Sequence, residues 1–237
     1  ECDLIAMHLP CVFDVEYCRT MGKNIMDATR AGGIEKVVFH TSCYVADRDL
    51  DLSAHDGRRA IEKAIEDSGI PYAVIRSAVF MDNMQRAWLK PSIVKNGIFA
   101  YPAAEDLLIS WVSLEDIAAY MIAALEAEDV TADKFMVGGP EALVGSQVAE
   151  ILSDVLGRTV EFKSLSPDQF AQEMAYLVTG SRDVEPHSIY DGMAKFYAFY
   201  NDQPTSPLNV DLEPVLKRLK IKPTSLEEWA RAQDWTV

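Results

Sequence analysis

The sequence predicts an α/β fold with a parallel sheet, followed by a smaller and mostly helical region. Three observations predict it. Between residues 1 and 76, apolar runs of strand length alternate with amphipathic runs of helix length. The stretches between successive strands are too long for hairpins and suit crossover helices, which makes neighbouring strands parallel. Beyond Leu143 the apolar spacing becomes more helical.

Leu4, Ile5, Ala6 and Met7 read as the first strand. Thr20 to Ala31 read as a helix closed by Gly32 and Gly33, and Lys36 to Phe39 as the next strand. Thr41, Ser42 and Cys43 follow, then an acidic loop through Asp51. A helix is expected from Asp56 to Ser68, with Ile61, Ala64 and Ile65 on its buried face. Gly69 ends it as a left-handed cap would. Tyr72 to Ile75 read as the third strand, Asn83 to Lys95 as a helix interrupted by Pro91, and Leu107 to Val112 as a strand. Ser113 and Asp116 suit a reciprocal cap for a helix whose buried stripe is Leu114, Ile117, Met121, Ile122 and Leu125. Lys134 to Val137 is a further strand. Val144 to Leu156 read as a helix closed by Gly157, and Val160 to Lys163 as a strand. Ser166 and Pro167 start another helix. Ile189, Met193, Phe196, Tyr197 and Tyr200 share one side of the next, where core packing is the ordinary reading. A short capped helix begins near Thr224 or Ser225.

The chain has 237 residues, 49% of them hydrophobic, and a net charge of −15. That balance speaks against duplex nucleic acid, whose phosphates need a basic face. No apolar run approaches the roughly eighteen residues of a membrane span. Cys2, Cys11, Cys18 and Cys43 show no C-x-x-C spacing, so free thiols in a cytoplasmic protein are expected. His8, His40, His55 and His187 show no paired ligand spacing, so no metal is expected. A G-x-S-x-G nucleophile elbow is absent.

EKAIEDSGIPYAVIRSAVFMDN, residues 62–83, resembles the NmrA-like branch of the atypical short-chain dehydrogenase/reductases. The matching pieces are Glu62, Ile65, Ser68, Gly69, Tyr72, Arg76, Phe80, Met81 and Asn83. Ser77 stands where that family usually has Pro. TRAGGIEKVVFHTS, ISWVSLEDIAAYMIAAL, GGPEALVGSQVAEILSDVLGRTVEF and PTSLEEWARAQDW resemble further segments of the family, in the right order. The resemblance implies a Rossmann-like NAD(P)-binding sheet over residues 1–140, with a substrate-lobe insertion near 80–106, and a substrate lobe over 141–237. It makes DLIAMHLP the counterpart of the family's fourth strand. The first three strands and the glycine-rich turn have no counterpart here; neither G-x-G-x-x-G nor G-x-x-G-x-x-G occurs. The expectation is that roughly 70 to 80 residues of the native protein precede this sequence; the other reading is a shorter protein that has lost the site, which would leave sheet edges unpaired.

The resemblance also implies site residues. His8, Leu9, Pro10, Thr41, Ser42, Cys43, Ala78, Val79 and Phe80 would pass the cofactor, with Arg58 on the nicotinamide ribose and Arg59 as its rival. For Thr41 plain strand-end turn chemistry is an equal reading. Phe80, Met81, Asn83 and Trp111 would line the substrate; packing suits Met81 and Trp111 as well. No Tyr-x-x-x-Lys occurs. Tyr44 with Arg48 and Tyr72 with Arg76 are near misses, and Arg cannot be tuned as Lys can. His55, as a proton donor, and Arg58 are the remaining catalytic candidates; a lone His near a helix start is more often a cap.

The expected function is an NAD(P)H-dependent oxidoreductase passing hydride to a small quinone, enone or carbonyl. The cofactor would be NADP, with NAD as the other choice. The alternative is a non-catalytic NAD(P)-sensing regulator that binds a protein partner. A small-molecule substrate is the expected partner, with no nucleic acid and no membrane. An exposed late helix could support a homodimer.

Overall fold

A computed structural model describes residues 2–9 and 12–237. Among these described residues six strands form: β1 (Leu4–His8), β2 (Lys36–His40), β3 (Tyr72–Ser77), β4 (Ile98–Tyr101), β5 (Ala132–Val137) and β6 (Glu161–Ser164). Eight α-helices accompany them: α1 (Val15–Ala31), α2 (Ser53–Glu66), α3 (Leu114–Glu126), α4 (Gly145–Leu156), α5 (Pro167–Thr179), α6 (Ile189–Asn201), α7 (Glu213–Arg218) and α8 (Leu226–Ala232). The chain divides into two units. Unit 1 comprises residues 1–77, 115–137 and 211–222; unit 2 comprises 78–114, 138–210 and 223–237.

Unit 1 holds the parallel sheet β1-β2-β3-β5, as the crossover lengths predict. Strand residues alternate between its two faces. Val37, Phe39 and Val74 join Cys18 and Met26 of α1 and Ile61 and Ile65 of α2 in one apolar core. The two helices approach closely because small residues line their contact. A Cβ on Gly22 would lie 3.2 Å from the Ala64 Cβ, and one on Gly57 3.0 Å from the Cys18 Sγ. Lys36 lies at the start of β2, and its Nζ donates to Leu125 O and Ala127 O at 3.2 and 2.7 Å. That bond satisfies carbonyls that the end of α3 leaves open.

Unit 2 pairs β4 with β6 in a small parallel ribbon, with α5 against α6 and α4 against β6 and α8. Its centre is aromatic. Phe99, Tyr101 and Trp111 are almost wholly buried and lie edge-to-face or stacked on one another.

Several boundaries differ from the sequence reading. Helix α1 starts at Val15, because the Asp14 side chain accepts from Tyr17 N and caps it there. Helix α2 starts at Ser53. Instead of a helix over 83–95 there is a 3₁₀ turn at Met81–Gln85 and a π-type turn at Ser92–Asn96, on either side of Pro91. Leu107 to Val112 is not a strand. Its backbone is shared among three segments: Ile109 bridges Leu143, Val112 bridges Phe80, and Ser110 N donates to Leu208 O. On α3 the buried side is Asp116, Ile117, Tyr120 and Ala124, while Leu114 and Ile122 are exposed. Helix α7 has no counterpart in the sequence reading.

Candidate functional site

The carboxyl ends of β1, β2 and β3 lie side by side in unit 1. His8 is in register with His40, and His40 with Ile75. Open α/β sheets bind ligands at this edge. His8 is exposed and Leu9 is buried; Pro10 lies outside the described residues. Beyond β2 the chain turns sharply at Ser42, whose φ is +64°. Serine rarely adopts this left-handed conformation, and such a residue persists only where its surroundings over-determine it.

The surroundings do so here. Thr41 is buried, and its Oγ1 donates to Cys43 O at 2.6 Å, closing the turn over Ser42. The same hydroxyl lies 3.3 Å from Ile75 O on β3. Arg58, only 4% exposed on α2, donates from Nε to Thr41 O at 3.2 Å. Its Nη1 donates to Val12 O at 2.6 Å and to Ala54 O at 3.1 Å. One guanidinium thereby ties the segment after β1 to the turn after β2. Ser77 N donates to Cys43 O at 3.4 Å, and the Ser77 Oγ lies 3.1 Å from His40 Nε2. These bonds leave Ser42 half-buried rather than enclosed.

Burial, with His8 nearby, pulls His40 down to about 4. Burial, with the Arg58 charge as a second cause, pulls His55 down to about 4 as well. Both imidazoles are therefore neutral at pH 7. His55 is wholly enclosed, its ring edge-on to Tyr44 at 5.9 Å. Arg59 pairs with Asp49 on the surface. Behind the edge, Glu62 of α2 is held by Arg76 through two bonds of 2.9 and 2.7 Å, and by Lys134 at 3.1 Å. Arg76 also reaches Asp47 in the acidic loop at 2.8 Å.

The remaining candidates lie in unit 2. Ala78 and Met81 are buried, Val79 and Phe80 half-buried. Val112 N donates to Val79 O and Met81 N to Val112 O, so this segment runs beside Trp111 and Val112. Asn83 Nδ2 donates to the Tyr101 hydroxyl at 3.2 Å, and Tyr101 shares a 2.6 Å bond with the Tyr197 hydroxyl. Burial lifts Tyr101 to about 12 and Tyr197 well above its usual value. Trp111 is 2% exposed, and its buried Nε1 has no hydrogen-bond partner among the described residues.

His40, Ser77 and Tyr101 are absent from the candidates that the sequence suggests. Their signal is weak there: a strand-end His, a Ser replacing the expected Pro, and a Tyr in a short strand. A cleft of about 560 Å³ runs between α1 and α2, but it is lined by surface ion pairs such as Lys23 with Asp27 and Lys63 with Asp67. Of the candidates only Arg59 lines it, and there it is paired with Asp49.

The NmrA-like family matches residues 6–230. The chain belongs to the NmrA-like family. Among curated relatives, an NAD(P)H azoreductase of Xenophilus azovorans is 27% identical over 175 residues, covering 73% of this chain and 57% of that protein. A (4-alkanoyl-5-oxo-2,5-dihydrofuran-3-yl)methyl phosphate reductase of Streptomyces griseus is 30% identical over 146 residues, covering 62% of this chain and 51% of that protein. This NmrA-like chain thus spans about half the length of these relatives. An NADPH-dependent quinone oxidoreductase from Escherichia coli, solved with NADPH, matches at TM-score 0.76 and 22% identity, over 96% of this chain and 75% of that one. A nucleoside-diphosphate-sugar epimerase from Staphylococcus aureus matches at 0.75 and 18%, over 97% and 76%. These structural matches establish a Rossmann-like fold for the NmrA-like chain.

Proposed function

We propose that this chain forms part of an NAD(P)H-dependent reductase that passes hydride to a small quinone, enone or carbonyl compound. The observation that carries the reading is the left-handed turn at Ser42, held at the carboxyl edge of a parallel sheet by Thr41, Arg58 and Ser77. Non-glycine residues held in that conformation cluster at ligand-facing turns. Relatives named as an NAD(P)H azoreductase and a (4-alkanoyl-5-oxo-2,5-dihydrofuran-3-yl)methyl phosphate reductase favour the same class, and a fold neighbour named as an NADPH-dependent quinone oxidoreductase supports taking NADP first.

The residues present fit the nicotinamide end of such a cofactor. Ser42 is half-exposed at the edge, and the backbone around it is already fixed. The pyrophosphate end has no glycine-rich turn in this sequence. The dinucleotide, when bound, supplies the hydride. Thr41, Ser42 and Cys43 would orient its ring, together with His8 and Leu9; in unit 2 the family resemblance assigns Ala78, Val79 and Phe80 to the cofactor. Arg58 serves by holding Thr41 O and Val12 O in place. In unit 2 the resemblance assigns Phe80, Met81, Asn83 and Trp111 to the substrate. His55 is enclosed and neutral, so a proton reaches the product from elsewhere than an imidazolium at this position.

One feature favours a second reading. Without Tyr-x-x-x-Lys the chain lacks the usual proton-transfer pair, which suits an NAD(P) sensor that binds a protein partner. The assay that separates the two is NADPH oxidation by the intact protein against a panel of quinones and azo compounds. Steady turnover on any acceptor supports the reductase. NADPH binding with no turnover, together with a partner captured only with cofactor present, would sink it.

A further inference from the structure

Ser77 stands where the family resemblance leads to an expectation of Pro, and its geometry gives the difference a purpose. It is fully buried at the end of β3. Its hydroxyl meets His40 Nε2 at 3.1 Å, on the residue before Thr41. Its N–H donates to Cys43 O at 3.4 Å, on the residue after Ser42. Proline could make neither bond: it has no N–H and no hydroxyl. One side chain and one amide therefore span the turn from His40 to Cys43 and leave Ser42 between them at φ +64°.

His40 is suited to its half of the task. It is 5% exposed and lies on the sheet face opposite the α1–α2 core, as does Ser77. A neutral imidazole in that place can give or take the hydroxyl's hydrogen bond without burying a charge.

We propose that Ser77, with His40, is a positioning residue that sets the Ser42 turn for the nicotinamide end of the cofactor. The inference rests on the reductase reading for its ligand but not for its geometry. Ser77 touches neither cofactor nor substrate; it acts through the turn.

The test compares Ser77→Ala, Ser77→Thr and His40→Phe in the intact protein. The parent's NADPH affinity is read first, from quenching of intrinsic fluorescence. Where the parent binds NADPH, S77A is expected to bind it roughly five- to tenfold more weakly, the loss set by one buried hydrogen bond. The KM for NADPH should rise with it, while kcat stays within about twofold, since the chemistry is untouched. S77T keeps the hydroxyl and should restore the affinity. H40F removes the same bond from its other end and should reproduce S77A, which covers the case in which threonine does not fit. Affinity unchanged in both S77A and H40F would overturn the proposal. Where the parent binds no NADPH, the reductase reading fails by itself. Amide exchange of residues 42–44 then decides the inference. Faster exchange in folded S77A supports the positioning role, and unchanged exchange overturns it.

Discussion

Glu62 has no contact with water. Arg76 donates to both of its carboxylate oxygens, and Lys134 approaches from the neighbouring strand. The pair is strong evidence for a fixed geometry and weak evidence for stability. Desolvating two ions costs much of what their attraction returns, but removing one partner strands the other. Glu62→Gln should therefore cost about 3–5 kcal/mol of unfolding free energy, read from denaturant melts. Asp47→Ala, whose carboxylate is 85% exposed, should cost less than about 1 kcal/mol. The sequence shows Glu62 only as one letter of a motif. Its partners sit on β3 and β5 and become neighbours only through the sheet order. Ser42 was harder still to foresee, since nothing about serine announces a left-handed backbone.

Among the elements, those with strong periodicity or clear caps were legible. Strands β1, β2 and β3 and helices α4, α5, α6 and α8 fall where the pattern puts them, within a few residues. The segment from 107 to 112 has the apolar content of a strand, but its hydrogen bonds are divided among Leu143, Phe80 and Leu208. Pairing partners are a tertiary property that composition does not carry. The exposure of Leu114 and Ile122 has the same origin: the docked side of α3 is turned toward Ile117 and Tyr120. Close backbone approach sets a second limit. A Cβ on Gly139 would lie 2.0 Å from Trp111 O, which is backbone and cannot step aside. Gly139→Ala should cost about 1–3 kcal/mol. Gly157→Ala meets nothing within 4 Å and faces only its φ of +63°, so about 1 kcal/mol is expected. Thermal melts of the two variants should rank in that order; an equal loss would mean that the Trp111 backbone shifts to make room.

For the whole molecule, acid is the condition that separates folded from unfolded chains most clearly. His40 and His55 both sit near 4 in the fold, well below their usual value of 6.5. In the window between those values the unfolded chain binds protons that the folded chain refuses. Stability is therefore full above about pH 6.5 and is lost as the pH falls toward 4, by up to about 1.4 kcal/mol per pH unit for each histidine. Melting temperature measured across that range should drop steeply. His55→Phe should flatten the drop if the variant folds, because a ring that cannot be protonated takes no part. A profile equally steep in that variant would assign the loss to His40 and to carboxylates instead.

The close fit of Gly57 against Cys18 has a practical consequence. The Cys18 sulfur is wholly buried, and burial raises its thiol pKa, so it offers a reagent neither access nor thiolate. It can react only while α1 stands away from α2. Alkylation of Cys18, followed by mass spectrometry of its peptide, is thus a built-in clock for how often the two helices part. Exposed Cys2 supplies the unhindered rate against which that clock is read.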